Sequence, residues 1–188
     1  MNFEKNASGL LVPDNKIEMN RLKEKLRVLL GGRYDGQIIR DGEVIDEFSD
    51  HNLVTNEGLN ATLNIMLGAA TQITSWYIGL FTGNYTPVAT DTATSLPGNS
   101  TECTGITASS RPQWLSSAAV GQVISNALSK ATFTFNATQT IYGGFLVSTA
   151  TIGGTGGTSF SAAQFATPKN VVNLDQLLLT YTVNALGA

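Results

Sequence analysis

Cysteine and histidine are almost missing from this chain: 188 residues hold one of each, Cys103 and His51. A lone thiol excludes an internal disulfide and a cysteine zinc cluster, and a lone imidazole excludes a multi-histidine metal centre. Charge is scarce as well. Asp, Glu, Lys and Arg make up 13% of the chain, about half the usual share of roughly 25%. The net charge of −3 argues against a general affinity for nucleic acid. No apolar run approaches the roughly 18 residues that a membrane span needs. The stretch Met1 to Asn15 lacks the basic-then-apolar order of a signal peptide, so none is expected. What the chain does have is 42% hydrophobic residues, enough for a real core. Its length suits one main domain with an appendage.

The few charges are unevenly placed. Residues 1–50 carry 18 of the 25 charged residues, and all 23 threonines lie at or after Thr55. This composition step predicts an architectural boundary and three parts: an N-terminal arm (1–33), a hairpin and helix leading into the core (34–70), and a β domain (71–188).

In the arm, Met1 to Pro13 reads as extended chain. Asp14 stands where a helix N-cap belongs. Ile17, Leu22, Leu26, Leu29 and Leu30 then recur at helical spacing over 16–30, and Gly31-Gly32 supply a C-cap. The opposite face is basic, with Lys16, Arg21, Lys23, Lys25 and Arg27. Three roles fit that face: a solvated surface of a helix docked on its own domain, an arm that packs on a partner protein, or a contact to nucleic acid or membrane. Glu18, Glu24 and the negative net charge weaken the last. These five residues are the candidate partner-binding set.

Asp41-Gly42 between Gln37–Arg40 and Glu43–Phe48 is a strong two-residue hairpin signal. Thr55 or Asn56 can cap a second helix, ending by Gly68, on which Leu59, Leu63, Met66 and Leu67 form one apolar stripe. From residue 73 the pattern is β. Ser75–Phe81 is apolar on both faces and predicts a central buried strand. Residues 83–113 read as a long loop with a short strand near Glu102–Ile106. Alternation over 132–136, 141–148, 160–166 and 175–185 predicts further strands. Phe133 with Phe135, and Leu177, Leu179, Tyr181 and Val183, fall on single faces. The expected fold is mainly β: an antiparallel β-sandwich, jelly-roll or Ig-like, with an N-terminal helical arm and hairpin and one further helix.

Catalytic constellations are thin. His51 has no nucleophile-elbow serine to serve, and Cys103 reads as a small apolar residue. Asp91 and Glu102 share the long loop and could form a carboxylate pair, but loop acids usually only solvate. The cluster Gly153-Gly154-Thr155-Gly156-Gly157 lacks the lysine and hydroxyl of a phosphate-binding loop and reads as a turn. No enzyme activity, cofactor or metal is expected. A charge-poor Thr/Ser/Asn/Gly/Ala surface suits close, repeated protein contacts, in which affinity is reinforced by symmetry.

One resemblance sharpens this. Arg40-Asp41-Gly42-Glu43-Val44-Ile45-Asp46, the run His51-Asn52-Leu53-Val54-Thr55-Asn56-Glu57-Gly58-Leu59-Asn60, and Trp76-Tyr77-Ile78-Gly79-Leu80-Phe81 resemble structural proteins of tailed bacteriophages. There a similar order precedes a Thr-rich β region like Tyr85–Ala93 and Thr132–Val147. The resemblance spans about residues 40–185 and leaves the arm outside. Among virion proteins, small β-sandwich chains of this size resemble capsid decoration (cement) proteins. The implied function is non-enzymatic: binding the outside of the shell and reinforcing contacts between major capsid subunits. The implied partners are the major capsid protein and the chain itself, as dimer or trimer, without direct nucleic-acid or membrane contact. The implied location is the capsid exterior of a virion, after synthesis in the host cytoplasm. A tail or fibre component, as adaptor or host-glycan-binding module, is the alternative.

Overall fold

The computed structural model describes residues 3–5, 11–13 and 28–187. The chain divides into two compact units, residues 1–30 with 185–188 and residues 31–184. In the first, β1 (Phe3–Lys5) pairs antiparallel with β2 (Leu11–Pro13), Glu4 opposite Val12. The predicted helix over 16–30 lies outside the described residues up to Arg27, and from Val28 onward the expectation fails. Residues 28–30 already belong to β3 (Val28–Arg40). Gly31 and Gly32 therefore lie within a strand and cap no helix. A Cβ at Gly32 would sit 2.5 Å from the Thr182 carbonyl and 2.9 Å from the Tyr181 hydroxyl, so glycine serves close approach there.

β3 turns into β4 (Glu43–His51) through Asp41-Gly42, with φ of 51° and 86°. Both central residues are left-handed, as this tight hairpin requires. The strands that follow are β5 (Leu53–Val54), β6 (Tyr77–Phe81), β7 (Val123–Ser125), β8 (Ala131–Thr134), β9 (Gln139–Val147), β10 (Ser159–Val171) and β11 (Gln176–Gly187), with helices α1 (Asn56–Leu67) and α2 (Leu96–Asn99). They form a mainly β fold with two antiparallel sheets, a β-sandwich. One sheet has the order β4-β3-β11-β7, with β8 also on β11. The other has the order β5-β10-β9-β6.

Strict alternation builds the layer between the sheets. On β3, Tyr34, Gly36 and Ile38 point inward, and on β11 Leu177, Leu179, Tyr181 and Val183 do the same. Tyr34 stacks on Tyr181 (centroids 4.4 Å apart) and meets Phe165 of β10 edge-on at 6.5 Å. Phe48 reaches the same Phe165 at 4.6 Å. Burial drives the Tyr34 and Tyr181 phenols well above their ordinary pKa, so both stay neutral in the core.

β6 is buried, as its two-sided apolarity predicts, but it lies at a sheet edge and not in the centre. The long loop after it supplies the cover. Cys103 N–H donates to the Leu80 carbonyl and Ile78 N–H to the Pro112 carbonyl, which pairs the free edge. Leu96 of α2 packs with Phe81, Phe145, Val147 and Ala162 on the outer face of that sheet. The sheet is thereby covered on both sides.

An ion pair closes the hairpin end. Arg40 donates to both carboxylate oxygens of Asp175, at 2.9 and 2.7 Å, while Val172 N–H donates to Asp175 Oδ2. Arg40 holds the Asp175 carboxyl below the usual carboxylate range. Folding thus lowers this pKa, and its contribution is full above the ordinary value of about 4. It fades as pH falls through the folded value. Asp175→Asn should therefore melt lower than the parent at pH 7, and the gap should narrow towards pH 3. Paired thermal melts across that range check it; a gap independent of pH would contradict the pairing.

Candidate interaction surface

The junction between the two sheets is built by the run from Asn52 to Gly58, and each residue has a bond to make. Asn52 Nδ2 donates to the Tyr181 hydroxyl at 2.7 Å. Leu53 and Val54 pair with Ala162 and Ser161 of β10. Thr55 is the N-cap of α1: its Oγ1 accepts from Gly58 N–H at 3.0 Å and donates to the Ser159 carbonyl at 2.8 Å. Such a cap is worth about 1 kcal/mol. Glu57, in the first turn, accepts from Ala93 N–H and Ser159 N–H at 2.8 and 2.7 Å. It clips the covering loop and β10 to the helix. A Cβ at Gly58 would lie 2.5 Å from the Phe160 carbonyl, so the helix approaches β10 backbone to backbone.

That close approach fixes which face of α1 turns inward. Gly58 is the buried residue of the helix, and Ala61, Thr62 and Ile65 are half-buried beside it. The apolar stripe consequently faces out. Leu59 is 39% exposed, Leu63 57%, Met66 73% and Leu67 83%. An amphipathic helix ordinarily packs its apolar face on the core; here small residues dock and large ones project.

Beside the stripe lies an apolar groove of about 400 Å³. Met66, Ile73, Trp76, Trp114, Ile124 and Phe160 line it, with Leu146 and Val183 from the two sheets at its floor. The groove is held rigidly. Trp114 Nε1 donates to the Tyr181 carbonyl at 2.9 Å, and Trp76 meets the Phe160 ring edge-on at 5.7 Å. Leu115, Val120, Val123 and Leu128, in the chain around Trp114 and Ile124, are also exposed. Residues 58–76 and 112–129, which hold α1 beyond Glu57 and most of the groove's lining, include no charged residue.

No protein-family model matches the chain, and no curated protein does.

The two loop carboxylates are engaged in internal bonds. Asp91 accepts from the Tyr85 hydroxyl and from Val88 N–H at 2.8 Å each, a loop-shaping role. Glu102 takes a two-point bond from Arg111, at 2.7 and 2.8 Å, and a third from Gly153 N–H. His51 is exposed at the end of β4. Cys103 is buried, and burial pushes its thiol up, away from the thiolate that a nucleophile needs. Among the described residues no cluster of three or more His, Cys, Asp or Glu could hold a metal, and no helix is long and apolar enough to cross a membrane. Lys16, Arg21, Lys23, Lys25 and Arg27, the partner-binding set expected from the sequence, lie outside the described residues. The stripe and Trp76 are legible in the sequence, but their assembly into one outward surface depends on Gly58, whose docking contact leaves no periodic signal.

Proposed function

We propose that this chain is a non-enzymatic structural protein of a tailed-phage virion, which binds the outside of the capsid shell and reinforces contacts between major capsid subunits. The observation that carries the reading is the charge-free apolar surface of α1 and its groove, set on a sandwich whose buried polar groups are almost all committed to internal bonds. Exposed apolar patches of this kind mark protein contacts. The resemblance of residues 40–46, 51–60 and 76–81 to tailed-phage structural proteins favours a virion as the setting. The rigid junction from Asn52 to Gly58 suits a clamp, because preorganised surfaces lose little freedom on binding.

Co-sedimentation of the purified chain with empty, expanded phage shells tests this. The expected result is saturable binding at a fixed ratio compatible with the shell symmetry. Deletion of residues 1–27, which stops short of β3, is expected to weaken it. A handful of copies per particle, or none, would overturn the decoration reading in favour of a tail or fibre component. Shell binding untouched by the deletion would remove the arm from the account.

A further inference from the structure

We infer that a second copy of this chain covers the α1 surface, helix against helix about a two-fold axis, with the Met66 end of each ridge seated in the other copy's groove. Two features of this surface select a copy of the same chain over another partner. The first is shape. A projecting ridge (Leu59, Leu63, Met66, Leu67) and a concave groove (Ile73, Trp76, Trp114, Ile124) lie side by side on one face and share Met66. A surface that presents both a ridge and its receptor is self-complementary, which is what a two-fold contact demands, since the same patch must serve both partners.

The second is charge. A chain of net charge −3 repels its own copies over most orientations. The exposed edge strand β4 carries Glu43, Asp46, Glu47 and Asp50, and edge-to-edge pairing there would set acids against acids. The α1 surface has no charge over 58–76 and 112–129. Two copies meeting there encounter no like-charge repulsion. A dissimilar partner would ordinarily find charged groups to set its orientation, and 58–76 and 112–129 offer only neutral polar ones such as Asn60, Asn64 and Gln72. Depletion of charge with retention of Trp, Met and Leu is the composition of an interface core, more apolar still in homodimers.

The arrangement is read in the free protein, so it stands or falls separately from shell binding. Sedimentation equilibrium on the full chain is expected to give twice the 19.9 kDa chain mass at micromolar concentration. The double variant Leu63→Glu/Met66→Glu changes two exposed positions and is expected to give the single-chain mass with an unchanged circular-dichroism spectrum. Should it lose its fold, Leu67→Lys at the most exposed ridge position is expected to give the same halving. Val44→Glu, on the far edge strand, is expected to leave the dimer intact. A wild-type chain that stays monomeric overturns the inference, as does a dimer that survives both ridge variants. A closed trimer dispersed by those variants overturns the two-fold arrangement.

Discussion

Replacing Arg111 with alanine should lower the stability of the fold by about 3–5 kcal/mol, the cost of stranding one member of a buried ion pair. Arg111 and Glu102 are 1% and 4% exposed. The guanidinium satisfies Glu102 at two points, donates to the Thr149 and Gly154 carbonyls at 2.8 and 3.2 Å, and lies 5.3 Å over the Phe145 ring. Glu102 in turn holds Gly153 N–H at 2.7 Å. One pair therefore ties the covering loop, the glycine-rich turn and the outer face of the β6–β9 sheet together. Removal of the arginine leaves a carboxylate in a dry site and two carbonyls without donors. For a chain of this length the loss corresponds to a melting point lower by about 10 °C. Because a buried pair replaced by apolar residues is often tolerated, Arg111→Met/Glu102→Leu should recover part of the loss. Urea titrations of the parent, both single variants and the double variant measure this. A single-variant cost below about 1 kcal/mol would mean that water reaches the pair and that the loop is pinned by other contacts.

That pair illustrates where sequence reading reaches its limit in this chain. Alternation made the strands legible: the inward placement of Phe133 with Phe135, and of the Leu177 to Val183 series, follows from period two alone. Asp41-Gly42 announced the hairpin because left-handed backbone at both positions favours those residues. Thr55 caps α1 as its hydroxyl predicts, and the helix ends before Gly68 as expected. Periodicity, however, reports that a helix has an apolar face and not where that face points. Here docking falls to Gly58 against the Phe160 carbonyl, and the stripe is left outside. Gly31-Gly32 show the same limit. Glycine favours helix ends and also tolerates strands that must approach a neighbour closely, and only the position of Thr182 and Tyr181 decides between them. The Glu102–Arg111 pair was invisible for a further reason, since its meaning lies in Phe145, Thr149 and Gly154, which the fold alone brings near.

The second large effect is expected where β6 and β9 pair. Their register sets Gly79 opposite Phe145 and Phe81 opposite Gly143, a reciprocal exchange in which each phenylalanine ring lies over the glycine of the other strand. A methyl group at Gly143 would strike both the Phe81 ring and the Ala163 carbonyl of β10. The ring could rotate away, but the carbonyl is fixed by the β9–β10 ladder. Gly143→Ala should accordingly cost about 3 kcal/mol, the upper end for overpacking. Gly144→Ala, one residue on, should cost clearly less, because its nearest neighbour would be the Gly79 carbonyl at 3.2 Å, with the next atoms at ordinary contact distance. Phe81→Ala alone should cost about 3–5 kcal/mol by opening a cavity under the covering loop. Combined with Gly143→Ala it should cost less than the sum by about 0.5–3 kcal/mol, since the added methyl enters space that the ring has left. Four denaturation curves test the coupling. Equal costs at Gly143 and Gly144, or strict additivity with Phe81, would show that the strands shift to absorb the methyl and that the glycine–phenylalanine exchange does not set their spacing.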